Sequence, residues 1–173
     1  MNKGFALCRD ELEKNPGDLP HSLRALSKAL MGSVGGAMGP LYGMFFRSMA
    51  KACDGLETID ATVFGAMLRG ARDGVGVVSE AKPGDKTLVD ALAPAVDAYC
   101  EALDGGKPFE QALEAMTAAA RSGREATKDM VAKIGRASRL GERSKGVLDP
   151  GAVSCCLILE SMADAIRPIL GKA

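Results

Sequence analysis

Gly135-Arg-Ala-Ser-Arg-Leu-Gly-Glu-Arg-Ser-Lys-Gly-Val-Leu-Asp-Pro-Gly-Ala152 joins two long apolar helical patterns. It holds four glycines, three arginines and a lysine, a composition poor at burying itself and good at meeting an anion. A helix starts out of it. Asp149 is placed to accept the first free N–H groups as an N-cap, Pro150 is pre-set for the first helical position, and Gly151 and Ala152 leave the helix mouth sterically open. An open helix N-terminus with guanidinium groups nearby is a candidate phosphate site. An ordinary Gly-rich, solvated loop between helices fits the composition equally well.

On either side of this stretch the apolar residues recur with helical period. Downstream, residues 151 to about 170 carry Cys155, Leu159, Met162 and Ile166 on one face. Upstream, residues 109 to about 132 carry Leu113, Met116 and Ala120, with Gly123 weakening the middle. Before that, Pro83-Gly-Asp-Lys-Thr87 opens a helix from Leu88 to about Leu103, with Val89, Leu92, Val96 and Cys100 in line and Thr87 as a cap. Nearer the N-terminus, Phe5, Cys8 and Leu12 mark a short helix stopped by Asn15-Pro16-Gly17. Asp18 and Pro20 open a second with Leu23, Leu26 and Leu30 inward. After Pro40 a third carries Leu41, Phe45, Met49 and Ala52, and a fourth is capped by Thr58 with Val63, Met67 and Gly70 inward. Gly74 to Val78 has strand propensity, but one such segment cannot make a sheet, so it reads as helix end or loop. The pattern predicts an all-α antiparallel, up-and-down bundle or barrel with short connections.

The 173 residues fit one domain, 1–173. Hydrophobic residues make up 47% and aromatics 4%, with no Trp, so the core is built from Ala, Leu, Val, Ile and Met and the helices approach closely. Twenty-two basic and 22 acidic residues cancel, so the whole-molecule field argues for neither nucleic acid nor a membrane surface, and any anion site is local. Five scattered cysteines without a C-x-x-C pair read as small apolar residues in a reducing, cytoplasmic compartment. His21 is the only histidine, which argues against zinc or Ser-His-Asp chemistry.

Three polar loops interrupt the helices: Ser33-Val-Gly-Gly-Ala-Met-Gly-Pro40, Lys82-Pro-Gly-Asp-Lys-Thr-Leu88 and the 135–152 stretch. The first can present backbone N–H groups as an anion nest, although a simple helix break explains it too. The second lacks the spacing of a Walker A loop and by itself is common turn chemistry. Together, S-V-G-G-x-x-G-P-L-[YF]-G-x-F-F, P-G-D-K-T-[ML]-x-D-x-x-x-P and G-R-A-S-x-L-G-E-R-S-x-G-x-x-D-P-G-A resemble, in order and spacing, the nucleotide-binding L subunit of dihydroxyacetone kinase, over practically the whole chain.

The resemblance implies a barrel of eight antiparallel helices with the nucleotide at one rim. It implies an ADP/ATP-binding phosphotransferase subunit: ADP, with magnesium, takes a phosphoryl group from a phosphohistidine carrier protein and passes it as ATP to dihydroxyacetone on a separate substrate-binding subunit. Gly35, Gly36, Ala37 and Met38 match the turn that holds the nucleotide phosphates. Leu88 matches a residue packed near the adenine, and Asp149, Pro150 and Gly151 match the segment that closes over the nucleotide. Arg136 matches the arginine at the phosphate-transfer position, where a guanidinium spreads its donors over a transferring phosphoryl group. Glu142 and Arg143 are expected to form ion pairs that shape the loop.

The chain also departs from the family's pattern. The family begins one helix earlier and carries G-D-x-D-H-G, whose aspartates chelate two magnesium ions, just before M-N-x-G-F. This sequence starts at Met1 of that segment, so the magnesium ligands are absent from it and nucleotide binding is expected to be weak or absent. Met38 replaces a serine, and Ser79-Glu80-Ala81-Lys82 lacks a glycine found near the adenine. An internal start, with the aspartates upstream, accounts for the gap. So does a degenerate, non-catalytic paralogue serving as a protein-interaction or regulatory module, for which Met38 and the 79–82 segment speak.

Overall fold

Acidic caps and turn glycines divide the chain into helices with few surprises. The computed structural model describes residues 2–171; Met1, where the resemblance begins, lies outside them. The helices are α1 (Asn2–Lys14), α2 (Leu19–Ser33), α3 (Met38–Ala52), α4 (Ala61–Val78), α5 (Val89–Asp104), α6 (Phe109–Ala126) and α7 (Pro150–Leu170), with 3-10 segments at Thr127–Asp129 and Arg136–Ser144. No strand occurs among the described residues, and the class is all-α as expected. Asp18 accepts the His21 N–H at 2.8 Å and Asp149 that of Ala152 at 2.7 Å, caps worth about 1 kcal/mol each.

Three boundaries differ from the sequence reading. Asp60, not Thr58, caps α4, because it directly precedes the first helical residue and its carboxylate reaches the Val63 N–H at 2.8 Å. Helix α3 starts at Met38, so Pro40 sits in the first turn, where its missing N–H costs nothing. Helix α6 ends at Ala126, not near 132: the Thr127 hydroxyl turns back onto the Arg124 carbonyl at 2.6 Å and Met130 is extended. Gly74 to Val78 is the last turn of α4.

The chain forms two compact units, residues 1–80 and 81–173. In the first, α1 packs on α2, α2 on α3 and α3 on α4, the neighbour-to-neighbour pattern of an up-and-down arrangement. Its core is Leu30, Tyr42, Phe45, Phe46, Met49 and Leu68, all but fully buried, with Phe5 edge-on to Phe46 at 6.3 Å between centroids. In the second, α5 packs on α6 and both pack on α7 around Leu92, Val96, Tyr99, Leu113, Met116 and Leu159. Met162 and Ile166, expected inward, are half-buried. All five cysteines are thiols, and burial raises the Cys155 thiol well above its ordinary pKa.

Gly123 is a fitted contact, not a weak point. A Cβ there would overlap the Asp90 carbonyl oxygen and press on Pro94 Cγ at 3.1 Å, so the glycine sets how closely α6 approaches α5. Gly76, exposed on α4, has nothing within 4 Å of a Cβ. Urea denaturation is expected to show Gly123→Ala destabilised by about 1–3 kcal/mol and Gly76→Ala stabilised by up to about 1 kcal/mol; equal effects at the two sites would disprove the contact.

Candidate functional site

In the second unit the Pro83–Thr87 turn is built around two buried charges. Asp90, in the first turn of α5, accepts the Gly84 N–H at 2.5 Å with one carboxylate oxygen and the Thr87 N–H at 2.6 Å with the other. The Thr87 hydroxyl accepts the Val89 N–H at 3.2 Å but makes no cap bond to α5, so the Asp90 carboxylate and not the Thr87 hydroxyl shapes the start of α5. Held in this turn, Lys86 takes a left-handed backbone (φ 60°) and points inward, 3% exposed. Its ammonium donates to the carbonyls of Met130 at 3.2 Å, Ser144 at 2.6 Å and Val147 at 2.8 Å. An ammonium has three donors; all are committed to the loop, and none is left for a phosphate.

Lys86 thus pins the feet of the 130–152 loop, and other bonds fasten the same places. Buried Ser144 accepts the Ala132 N–H at 2.9 Å and donates to the Gly141 carbonyl at 2.6 Å. Asp85 accepts the Lys133 N–H through its carbonyl at 3.2 Å and faces the Lys133 ammonium at 3.5 Å. The Gly146 N–H reaches the Lys128 carbonyl at 2.8 Å, and the Asp149 N–H the Thr127 hydroxyl at 3.0 Å. Between these anchors Arg136, Arg139 and Arg143 stand exposed on an arch that starts at left-handed Gly135 and kinks at Gly141. Glu142, expected to form an ion pair, does so with Lys145 at 3.8 Å, since one helical turn brings those two together.

Of the residues singled out in the sequence, the structure brings Leu88, Asp149, Pro150 and Gly151 together. Buried Leu88 lies against the start of α7: a Cβ on Gly151 would stand 3.1 Å from the Leu88 nitrogen and 2.8 Å from an Asp149 carboxylate oxygen. The α7 mouth is therefore less open than its sequence suggests, since Ala152 is buried and its N–H is taken by Asp149. Arg136 is exposed at the head of the 136–144 segment. Gly35, Gly36 and Ala37 are exposed in the α2–α3 loop of the first unit, Gly36 at φ 72°, and half-buried Met38 opens α3. Lys86, Asp90 and Ser144 had escaped the sequence reading. The acid in the first turn of α5 was a usable signal for Asp90, but acceptors 44 to 61 residues away gave none for Lys86.

Burial raises the Asp149 carboxyl above its ordinary value of 3.8, against the lowering effect of the Ala152 and Gly151 N–H groups; Asp90 adds to the rise and Lys86 opposes it. A raised carboxyl favours the fold while protonated, and that contribution is lost as pH climbs from 3.8 through the folded-state value. Asn also caps well, so Asp149→Asn is expected to match or exceed the wild type at pH 7 and to lose this advantage in thermal melts below pH 4, while Asp149→Ala costs about 1 kcal/mol at pH 7. A second expectation concerns Lys86→Met, which takes the donor from three carbonyls, one buried and two part-buried. It is expected to cost about 2–4 kcal/mol and to open trypsin cleavage at Lys133, Arg136, Arg139 and Arg143; an unchanged digest would refute the pinning role.

The family model for the DAK2 domain matches residues 1–164. The chain is 37% identical over 171 residues to the PEP-dependent dihydroxyacetone kinase, ADP-binding subunit DhaL, of Escherichia coli K12, covering 96% of this chain and 80% of that one. It is 32% identical to the PTS-dependent dihydroxyacetone kinase, ADP-binding subunit DhaL, of Lactococcus lactis, covering 96% and 79%. It is 35% identical to the L-erythrulose 1-kinase of Mycolicibacterium smegmatis, covering 91% of this chain and 27% of that enzyme. Helical class, loop motifs and these matches agree, and the chain belongs to the DAK2 domain family, the family of the dihydroxyacetone kinase L subunits.

Proposed function

We propose that this chain is the nucleotide-holding phosphotransferase subunit of a dihydroxyacetone kinase, working in the cytoplasm with a phosphohistidine carrier protein and a substrate-binding subunit. The observation that carries the reading is the exposed Arg136 guanidinium on an arch whose feet Lys86 and Ser144 fix. Bound ADP would supply the relay, accepting a phosphoryl group and releasing it to dihydroxyacetone. Arg136 would offer its donors to the phosphoryl group in transit, where charge must be stabilised. The pinned backbone fixes the arch from which that side chain extends. The family resemblance assigns the phosphate-holding turn to Gly35, Gly36, Ala37 and Met38 and a place near the base to Leu88, which is buried. Asp149, Pro150 and Gly151 close over the nucleotide.

Magnesium, which the family resemblance also implies, does not fit the residues present. Among the described residues no group of three His, Cys, Asp or Glu side chains could hold an ion, and no step is assigned to one.

The test is formation of dihydroxyacetone phosphate by the chain mixed with a substrate subunit, a phosphohistidine carrier, its donor, ADP and magnesium. The chain is assayed alone and with a G-D-x-D-H-G segment joined ahead of Met1. Turnover is expected with the joined segment, and Arg136→Ala is expected to lower it by about 10³-fold without changing the thermal melt. No turnover and no calorimetric heat with Mg-ADP in either form would overturn the reading in favour of a non-catalytic module. An Arg136→Ala rate equal to wild type would remove Arg136 from the chemistry.

A further inference from the structure

The first unit carries a basic groove that the phosphotransferase reading does not use. It runs between α2 and α3, encloses about 1030 Å³ and is bordered by Arg24 and Lys28 from α2 and by Arg47 and Lys51 from α3. Each pair is spaced i, i+4, so each helix presents two like charges on one stripe, an arrangement that repels itself. Asp54 is the one acid on the groove and is paired with Arg24 at 2.9 Å. Lys28, Arg47 and Lys51 complete the basic lining. In a chain whose charges sum to zero, this is a local excess of three positive charges, four basic groups less one acidic.

The apolar lining of the groove is exposed as well. Met31, Met44 and Val77 contribute to it, with Met31 40% and Val77 74% exposed, and Val78 beside it 44% exposed. An apolar floor from α2, α3 and the end of α4, with a charged rail on α2 and another on α3, presents a surface on which a further helix packs. Methionine adapts its shape to what lies on it.

We propose that this groove docks an amphipathic helical segment of a partner protein, apolar residues down on Met31, Met44 and Val77 and acidic residues out toward the two basic rails. The i, i+4 rails match acids at the same spacing on such a helix, and the apolar seam favours a helix over a polyanion that carries charge alone. Charge sets the encounter and register; the methionines supply the contact.

The probe is a fluorescein-labelled synthetic peptide of roughly 18 residues, five helical turns, with leucines at i, i+3, i+4 and i+7 and glutamates on both flanks. Two competitors test its chemistry: a scrambled peptide of the same composition, and an oligodeoxythymidine. The expected result is saturable binding to the full chain that is about tenfold tighter than for the scrambled peptide and weakens with salt. The double variant Lys28→Glu, Lys51→Glu is expected to lose about tenfold or more in affinity with an unchanged melt, and Met31→Ser, Met44→Ser to weaken binding without altering its salt dependence. Equal binding of the scrambled peptide or the oligonucleotide would overturn the proposal in favour of an unspecific polyanion patch. Absence of binding, or binding indifferent to the charge reversals, would overturn it outright.

Discussion

A buried ammonium tolerates no half-measures, and the second unit is arranged around that fact. Removing Lys86 from water costs several kcal/mol unless each N–H finds an acceptor, and a left-handed backbone at a non-glycine residue adds a further penalty of about 1 kcal/mol or more. Both costs are offset only when Met130, Ser144 and Val147 present their carbonyls together. The closure of an otherwise Gly-rich loop thereby becomes nearly all-or-none. The arch between the anchors is held at its feet although few of its own residues are buried.

What aims Lys86 is Asp90, and Asp90 does two things at once. Its carboxylate fixes the turn through Gly84 and Thr87, while its backbone carbonyl is the surface on which Gly123 of α6 rests. The start of α5 therefore transmits packing to the loop. A shift of α6 on α5 moves the carbonyl, the carboxylate, the turn and the ammonium in series. This explains why glycine sits in the middle of an otherwise good helix-forming sequence, where propensity alone would choose alanine.

The helices were legible in the sequence because their determinants are local: period-3.6 apolar stripes, and Asp18 and Asp149 each three residues ahead of the N–H they accept. Where two local solutions compete, sequence reading went astray. Thr58 and Asp60 are both good caps, and only geometry chose Asp60. The end of α6 was misplaced because Lys128 to Ala132 carries no breaker, while the actual stop is the Thr127 hydroxyl, which also receives the Asp149 N–H from 22 residues on. The loop motifs marked the family through their order and spacing. Why Lys86 and Ser144 belong to them could not be seen, since their partners are set by the closed loop and a buried lysine has no sequence signature.

A net charge of zero likewise hid two different uses of basic residues. The arginines of the arch sit on backbone fixed at both ends by neutral and charged hydrogen bonds, which suits a ligand whose charges must be met at set positions. The lysines and arginines of the groove sit on straight helical stripes above methionine, with long side chains free to adjust, which suits a partner recognised by register and surface. Summed charge treats the two alike. The distinction lies in what holds the backbone beneath each guanidinium: in the arch, it is Lys86, whose three donors face inward onto the loop while Arg136 faces out.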